Sequence, residues 1–278
     1  MKRGIIFAAT GDAGSIHISM AQKAAIHVKE VMPDIEVHLF TNQPVEHPAI
    51  DKVIHLSDFH EAMPKLAAMN RTEFDQTIYL DSDVVVLADI SELFETLESF
   101  DLAIAGSERP IPIVDNDDHA QTMICEKNTG VVAFRKSDAV SALFEQWYTF
   151  YDEDPEWNDQ PALARAMYHC PEIKWIHLAR IYNCLVLTTM GRKMLALRPV
   201  RNNEPMIRVL HLCGIKKLKN SPKRELLDTS CGFSFEKFFE EDKRQWFRER
   251  MIREGWNDRL APFENPVSRF DWLKKLFS

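Results

Sequence analysis

The sequence predicts an α/β protein built on a mainly parallel sheet with helices on both faces. Strand-like runs alternate with helix-like segments along residues 4–217. An apolar run, Thr77–Leu87, is interrupted by two carboxylates, Asp81 and Asp83, at what reads as the carboxyl end of a buried strand, the place where ligands gather in open α/β sheets. The 278 residues, 45% of them hydrophobic, suffice for one large domain with a sizeable core.

Gly4–Thr10 reads as the first strand, ending in the turn Gly11-Asp12-Ala13-Gly14. Ser15 then caps a helix over Ile16–Val31, which stops near Pro33. Glu36–Phe40 and Lys52–Leu56 follow as strands, Ala62–Arg71 as a helix, and Thr77–Leu80 as the strand that feeds the acidic pair. Ser91 is placed to cap a short helix over Glu92–Ser99, and Leu102–Ala105 is a further strand. Ser107–Asp118, with two prolines and three aspartates, reads as a surface loop, with a lid over the site as the functional alternative. Thr129–Phe134 is a strand and Asp138–Tyr151 a helix with a buried aromatic side. Asp159–Tyr168 is another helix, with Pro161 in the first turn, where its missing N–H costs nothing. Ile207–Leu212 is the last apolar strand, and beyond Asn220 the chain reads as helical.

A net charge of −8 argues against a nucleic-acid surface. Five cysteines, widely spaced and without a CxxC pair, suit free thiols in a reducing compartment. The amino terminus meets Asp12 too early for a signal peptide. No stretch approaches the roughly 20 apolar residues of a membrane span. The expectation is a soluble cytoplasmic protein.

The acidic pair carries the chemistry. Burying two bare carboxylates is very costly, so something must neutralise them. On one extended strand, side chains two apart share a face, and both acids reach one divalent cation, which takes oxygen ligands and keeps positions open for phosphate. A salt-bridge network is the competing use of such a pair. Other residues have bland readings when taken singly. His211 ends an apolar strand and suits a buried core histidine or a ligand. Asn128 suits a turn, Asp159 a helix first turn, and Lys65 a lysine lying along the surface.

Together, in order, these residues resemble the nucleotide-sugar glycosyltransferases of the GT-A fold, in particular the retaining family 8 type. Phe7-Ala8-Ala9-Thr10 stands where that family holds the nucleobase, which implies donor contacts at Ala8 and Thr10. Lys65 matches a basic residue facing the donor, and Asp81-Ser82-Asp83 matches the metal motif, with Ser82 beside the nucleotide. Asn128-Thr129-Gly130 is similar to the strand whose asparagine contacts the donor sugar. Asn158-Asp159-Gln160 is similar to the aspartate–glutamine pair that contacts the sugar and lies beneath the anomeric carbon, which implies catalytic roles for Asp159 and Gln160. His211 through Lys217 fits H-x-x-G-x-x-K. The resemblance makes His211 the third metal ligand, Gly214 a close approach of backbone to phosphate, and Lys217 a charge against the diphosphate.

The resemblance implies a hexose donor carried on a nucleotide diphosphate, with uridine the expected base, and an acceptor hydroxyl on a glycan, lipid or protein. Two carboxylates and an imidazole suit Mn²⁺, with Mg²⁺ as the alternative. Two departures stand out. Pro161 replaces an aspartate that often follows the glutamine, which favours a front-face reaction over a double displacement. Leu218-Lys219 replaces the usual proline–tryptophan after the lysine. Trp157 and Trp175 suit core or rim packing, with the acceptor cleft as the other use. Residues 1–219 are expected to form the catalytic domain and 220–278 a helical extension packed on it. Its end, Phe270–Phe277, mixes aromatic and basic residues in a pattern that suits weak contact with a membrane surface or docking on protein. The competing functions are an inverting transferase with Asp159 as base, a nucleotide-sugar-binding protein without turnover, and a haloacid-dehalogenase-type phosphatase.

Overall fold

A computed structural model describes residues 1–11, 15–56, 63–114, 121–153, 159–185, 200–201, 204–205 and 207–211. Its strands are β1 (Arg3–Ala8), β2 (Glu36–Thr41), β3 (Lys52–His55), β4 (Gln76–Leu80), β5 (Val84–Val86), β6 (Leu102–Val114), β7 (Gln121–Arg135), β8 (Trp175–Leu178), β9 (Cys184–Leu185), β10 (Val200–Arg201), β11 (Glu204–Pro205) and β12 (Val209–His211). Its helices are α1 (Ile16–Val31), α2 (Pro64–Asn70), α3 (Glu92–Thr96), α4 (Asp138–Glu153) and α5 (Asp159–His169). The expected extension beyond residue 219 lies outside the described residues, as do Asn158, Gly214 and Lys217. Among the described residues, no helix is long and apolar enough to cross a membrane.

Seven strands form one sheet in the order β3-β2-β1-β4-β7-β6-β8, and β7 alone runs against the rest. Each central strand divides its side chains between two cores, as the period-two pleat requires. Ile5, Phe7, Ile78, Leu80, Ala103 and Ala133 point to the face covered by α1 and α3, against Ala25, Val28 and Phe94. Ile6, Tyr79, Leu102, Ile104 and Val132 point to the face covered by α2, α4 and α5, against Leu66, Trp147 and Leu163. Each of the Ile, Leu, Val and Phe side chains among them contributes about 1.5–3 kcal/mol when fully buried. The Trp147 indole is wholly buried yet stays satisfied, because its Nε1 donates to the backbone oxygen of Asp159 at 2.8 Å. That bond fixes the start of α5.

The structure corrects three local expectations. The acidic pair does not lie on one extended strand. Asp81, Ser82 and Asp83 form the connection between β4 in the large sheet and β5 in a separate three-stranded sheet, ordered β5-β12-β9. The second half of the apolar run is therefore buried against β12 rather than against the main sheet. Ser107–Val114 is the outer half of β6, paired with β7 in a long hairpin. Pro110 and Pro112 are tolerated there because β8 pairs only with Leu102–Ala105, so the far edge of β6 asks for no further donors among the described strands. Ser91 adopts helical dihedrals and makes no cap, and instead its N–H donates to Asp89. Trp175–Leu178 forms an edge strand on β6, where Trp175 remains 38% exposed under the Lys127 ammonium. By contrast, Ser15 does cap α1, accepting from the N–H of His17, and α1 keeps its expected bounds.

Candidate active site

The site lies where the large and small sheets meet. Asp81 follows the carboxyl end of β4, and its N–H donates to the Gly130 carbonyl of β7 at 2.9 Å. β12 pairs with β5 so that His211 lies opposite Val84, the residue after Asp83. That register brings an imidazole 128 positions away in sequence onto the acidic turn. Nε2 of His211 is 3.2 Å from Asp83 Oδ1 and 3.7 Å from Asp81 Oδ2. One ligand atom from each of the three residues falls within 4.8 Å of the others. The acids keep about a quarter of their side-chain surface open (24% each) while His211 keeps 4%, so the cluster is closed behind and open in front.

These donors fit a divalent cation. Two carboxylates and an imidazole supply hard oxygen and one nitrogen, a set suited to Mn²⁺. The imidazole presents a ring nitrogen to the acids while its other nitrogen, Nδ1, is held by Asn183 Oδ1 at 2.8 Å, the supporting bond expected of a ligating histidine. Gly130 makes the position available: a Cβ there would lie 2.1 Å from the His211 ring, so only glycine lets the imidazole rest on β7.

On the other side of Asp81 stands Lys65, in the first turn of α2 behind Pro64. Its Nζ lies 2.7 Å from Asp159 Oδ2, 2.7 Å from Thr129 Oγ1 and 3.4 Å from Asp81 Oδ1. Thr129 in turn donates its hydroxyl hydrogen to Asp159 Oδ2 at 2.7 Å, and Tyr79 donates to Asp81 Oδ1 at 2.8 Å. Burial by itself would lower the affinity of Lys65 for its proton, but Asp81 and Asp159 outweigh it and hold the ammonium well above the ordinary lysine range. Burial would likewise raise the Asp159 carboxyl, and the Lys65 charge reverses that to leave it below its ordinary value. For Tyr79, burial first and then the Asp81 carboxylate push the phenol well above its ordinary value, so it stays a donor.

Thr129 and Gly130 reach the site because β7 bulges between its contacts with β6: Ile104 pairs with Val132, but Ala105 pairs with Asn128. Bulges of this sort re-aim side chains beside functional sites. All three residues of the Asn128-Thr129-Gly130 run have work there. Thr129 ties Lys65 to Asp159, Gly130 makes room for His211, and Asn128 accepts through Oδ1 from the Gly130 N–H at 3.1 Å and from Asn183 Nδ2 at 2.6 Å.

Sequence reasoning names Asp81, Asp83, His211, Lys65, Asn128 and Asp159, and the structure gathers all six into one network. Ser82 is buried in the turn between the acids, and Gln160 follows Asp159 half-buried in the first turn of α5. Ala8 ends β1 and Thr10 lies two residues beyond it, next to Gly11, which Asn42 and Gln43 hold after β2: the Gly11 N–H donates to Asn42 Oδ1 at 3.1 Å and Gln43 Nε2 donates to the Gly11 carbonyl at 2.8 Å. Sequence reasoning misses Tyr79, Thr129 and Asn183. Tyr79 stands two residues before Asp81, so strand periodicity puts both on one face; for Thr129 and Asn183 the local sequence carries no such signal.

No curated protein matches the chain. Among solved structures, the glycosyltransferase GlyE of Streptococcus pneumoniae TIGR4 is 18% identical over 81% of this chain, with a TM-score of 0.54. This chain spans 60% of that enzyme's length. The galactosyltransferase LgtC, solved with donor and acceptor sugar analogues, is 15% identical, with a TM-score of 0.53 over 98% of this chain and 99% of its own. At such identities the likeness is one of fold, and that fold is the Rossmann-like GT-A architecture of glycosyltransferases. The family model for nucleotide-diphospho-sugar transferases matches residues 75–251, more than half of the sequence and the stretch that carries both acids, Asn128, Asp159 and His211. The chain belongs to the nucleotide-diphospho-sugar transferase family.

Proposed function

We propose that the protein transfers a hexose from a nucleotide diphosphate sugar, with uridine as the base, to an acceptor hydroxyl, with retention at the anomeric carbon, as a family 8 transferase does. The convergence of Asp81, Asp83 and His211 within 4.8 Å carries the reading. These three residues would hold Mn²⁺, or Mg²⁺ in its place. The cation supplies Lewis-acid neutralisation of the diphosphate as negative charge grows on the leaving oxygen.

The protein's own groups supply position and charge. Thr129 and Lys65 both bind Oδ2 of Asp159, a carboxylate that would accept from a hydroxyl of the donor sugar. Gln160, one residue on, stands beneath the anomeric carbon. Pro161 occupies the next position, so α5 offers no further carboxylate there. In the front-face reaction the acceptor oxygen forms its bond to C1 as the bond from C1 to the leaving phosphate oxygen breaks, and the departing diphosphate takes the acceptor proton. The inverting alternative needs Asp159 as general base. A carboxylate held below its ordinary value by a lysine at 2.7 Å is poorly matched to that task near neutral pH.

Donor hydrolysis across UDP- and GDP-sugars with Mn²⁺ tests the reading, with Asp83→Asn as the comparison. Losing several kcal/mol of metal stabilisation is expected to slow turnover about 10²–10³-fold. Equal rates in the two proteins overturn the metal site, and a product of inverted anomeric configuration, read by NMR, overturns retention.

A further inference from the structure

We propose that Asn183 is a positioning residue that fixes the tautomer of His211 and thereby aims its Nε2 at the metal position. The inference rests on the metal-dependent reading above and assigns a role to a residue on neither β5 nor β12. Asn183 is 4% exposed and sits between the short helical turn Arg180–Tyr182 and β9. β9 pairs with β12 so that Leu185 lies opposite His211, which brings Asn183 alongside the imidazole.

The proton positions follow from one fixed point. The Gly130 N–H is a donor and nothing else, so the Asn128 atom that it meets at 3.1 Å is the carbonyl oxygen. That oxygen is also 2.6 Å from the Asn183 amide, so Asn183 presents Nδ2 there. Its Oδ1 is then the atom 2.8 Å from His211 Nδ1, and it can only accept. Nδ1 therefore carries the hydrogen, and Nε2, 3.2 Å from Asp83 Oδ1 and 3.7 Å from Asp81 Oδ2, is the nitrogen left to face the metal position. A backbone amide of β7 thus sets, through two amide side chains, which nitrogen of a histidine on β12 is free to ligate.

Asn128 is constrained by the same chain of bonds. Both acceptor positions of its oxygen are taken, one by Gly130 and one by Asn183, so toward a donor sugar it can only give hydrogen bonds through Nδ2.

The test uses the full chain without metal. Long-range ¹H–¹⁵N spectra of the ¹⁵N-histidine-labelled protein, with His211→Ala for assignment, should show His211 protonated at Nδ1. A hydrogen on Nε2 with Nδ1 bare overturns the proposal. Titration with Mn²⁺ alone, followed by water-proton relaxation, supplies the second readout. Asn183→Leu should weaken Mn²⁺ binding about 10–100-fold. Unchanged affinity in Asn183→Leu, alongside lost binding in His211→Ala, overturns the role of Asn183 and leaves the metal site intact. Unchanged affinity in His211→Ala itself overturns the metal reading instead, and the tautomer spectrum still decides Asn183. If Asn183→Leu fails to fold, the wild-type spectrum carries the decision.

Discussion

Asp81 offers its two oxygens to unlike neighbourhoods. On the side of α2 and α5, Oδ1 meets the Tyr79 hydroxyl and the Lys65 ammonium, and Lys65 also holds Asp159 and Thr129. On the side of the small sheet, Oδ2 and Asp83 face His211, which is backed by Asn183, Asn128 and Gly130. The first neighbourhood contains its own cation, one ammonium shared by two carboxylates. In the second, the carboxylates face an imidazole, and on the metal-dependent proposal a cation would complete their neutralisation. On that proposal, one half of the site is complete when the chain folds, and the other would be completed by a ligand. Substitutions on the two sides should therefore separate stability from metal affinity.

Lys65→Met should produce the largest change in stability. It leaves Asp81 and Asp159 facing each other across an apolar side chain, and removing one partner of a largely buried ion pair typically costs about 3–5 kcal/mol. Urea denaturation of the metal-free protein measures the loss. The cation should then become a partial substitute for the ammonium: Mn²⁺ at about 100 times its dissociation constant returns roughly 2.7 kcal/mol by mass action. A loss under about 1 kcal/mol, in the range of exposed pairs, would mean that Lys65 does not neutralise this half of the site, and the contrast between the halves would fail.

Gly130→Ala probes the other half. The new methyl would stand 2.1 Å from the His211 ring, with the Asn128 oxygen at 3.1 Å. Overpacking of this kind costs about 1–3 kcal/mol, less than the loss of Lys65. The accompanying change should be in metal affinity, because the ring must leave its seat to admit the methyl. Calorimetric titration with Mn²⁺ should show weakened binding in Gly130→Ala and retained binding in Lys65→Met. If both variants lose Mn²⁺ equally, the two neighbourhoods are one unit.

How much of this is legible in the sequence depends on the range over which each feature is decided. Helix α1 is legible at both ends, because Ser15 and the Val31–Pro33 stop are local signals. The acidic pair is legible because charge inside an apolar run conflicts with burial wherever the chain goes. The crossing from one sheet to another at Asp81–Asp83 is not, since Val84–Val86 would be apolar in either sheet. The β6–β7 hairpin is hidden by prolines that disfavour strands in general and are harmless at this edge. Thr129 is an ordinary strand residue by sequence, and only the bulge in β7 turns its hydroxyl to Lys65. Asn183 precedes a two-residue strand, and its role exists only through a pairing with β12 that no local pattern announces.

The pH dependence of stability should differ between the two lysine states, and this is the smallest of the expected effects. In the folded protein Asp159 titrates below its ordinary value, so as pH falls the unfolded chain takes up that proton first. Its contribution is whole above the unfolded value of about 3.9 and fades as pH drops through the lower folded value. Lys65 acts at the other end: its raised value makes its contribution whole below about 10.4 and lost as pH climbs through the folded value. In Lys65→Met, burial acts on Asp159 against the Thr129 hydroxyl and the backbone N–H but no longer against an ammonium, and the folded value should move above the ordinary one. The sign then reverses, and moderate acid should relieve part of the variant's instability rather than add to it. Denaturation midpoints of the metal-free proteins between about pH 7 and pH 4, the span above the ordinary carboxylate range, should converge as the solution becomes more acidic. Midpoints that stay parallel would place the Lys65–Asp159 pair among those that water already screens, and would move the self-neutralised half of the site from the folded interior to its surface.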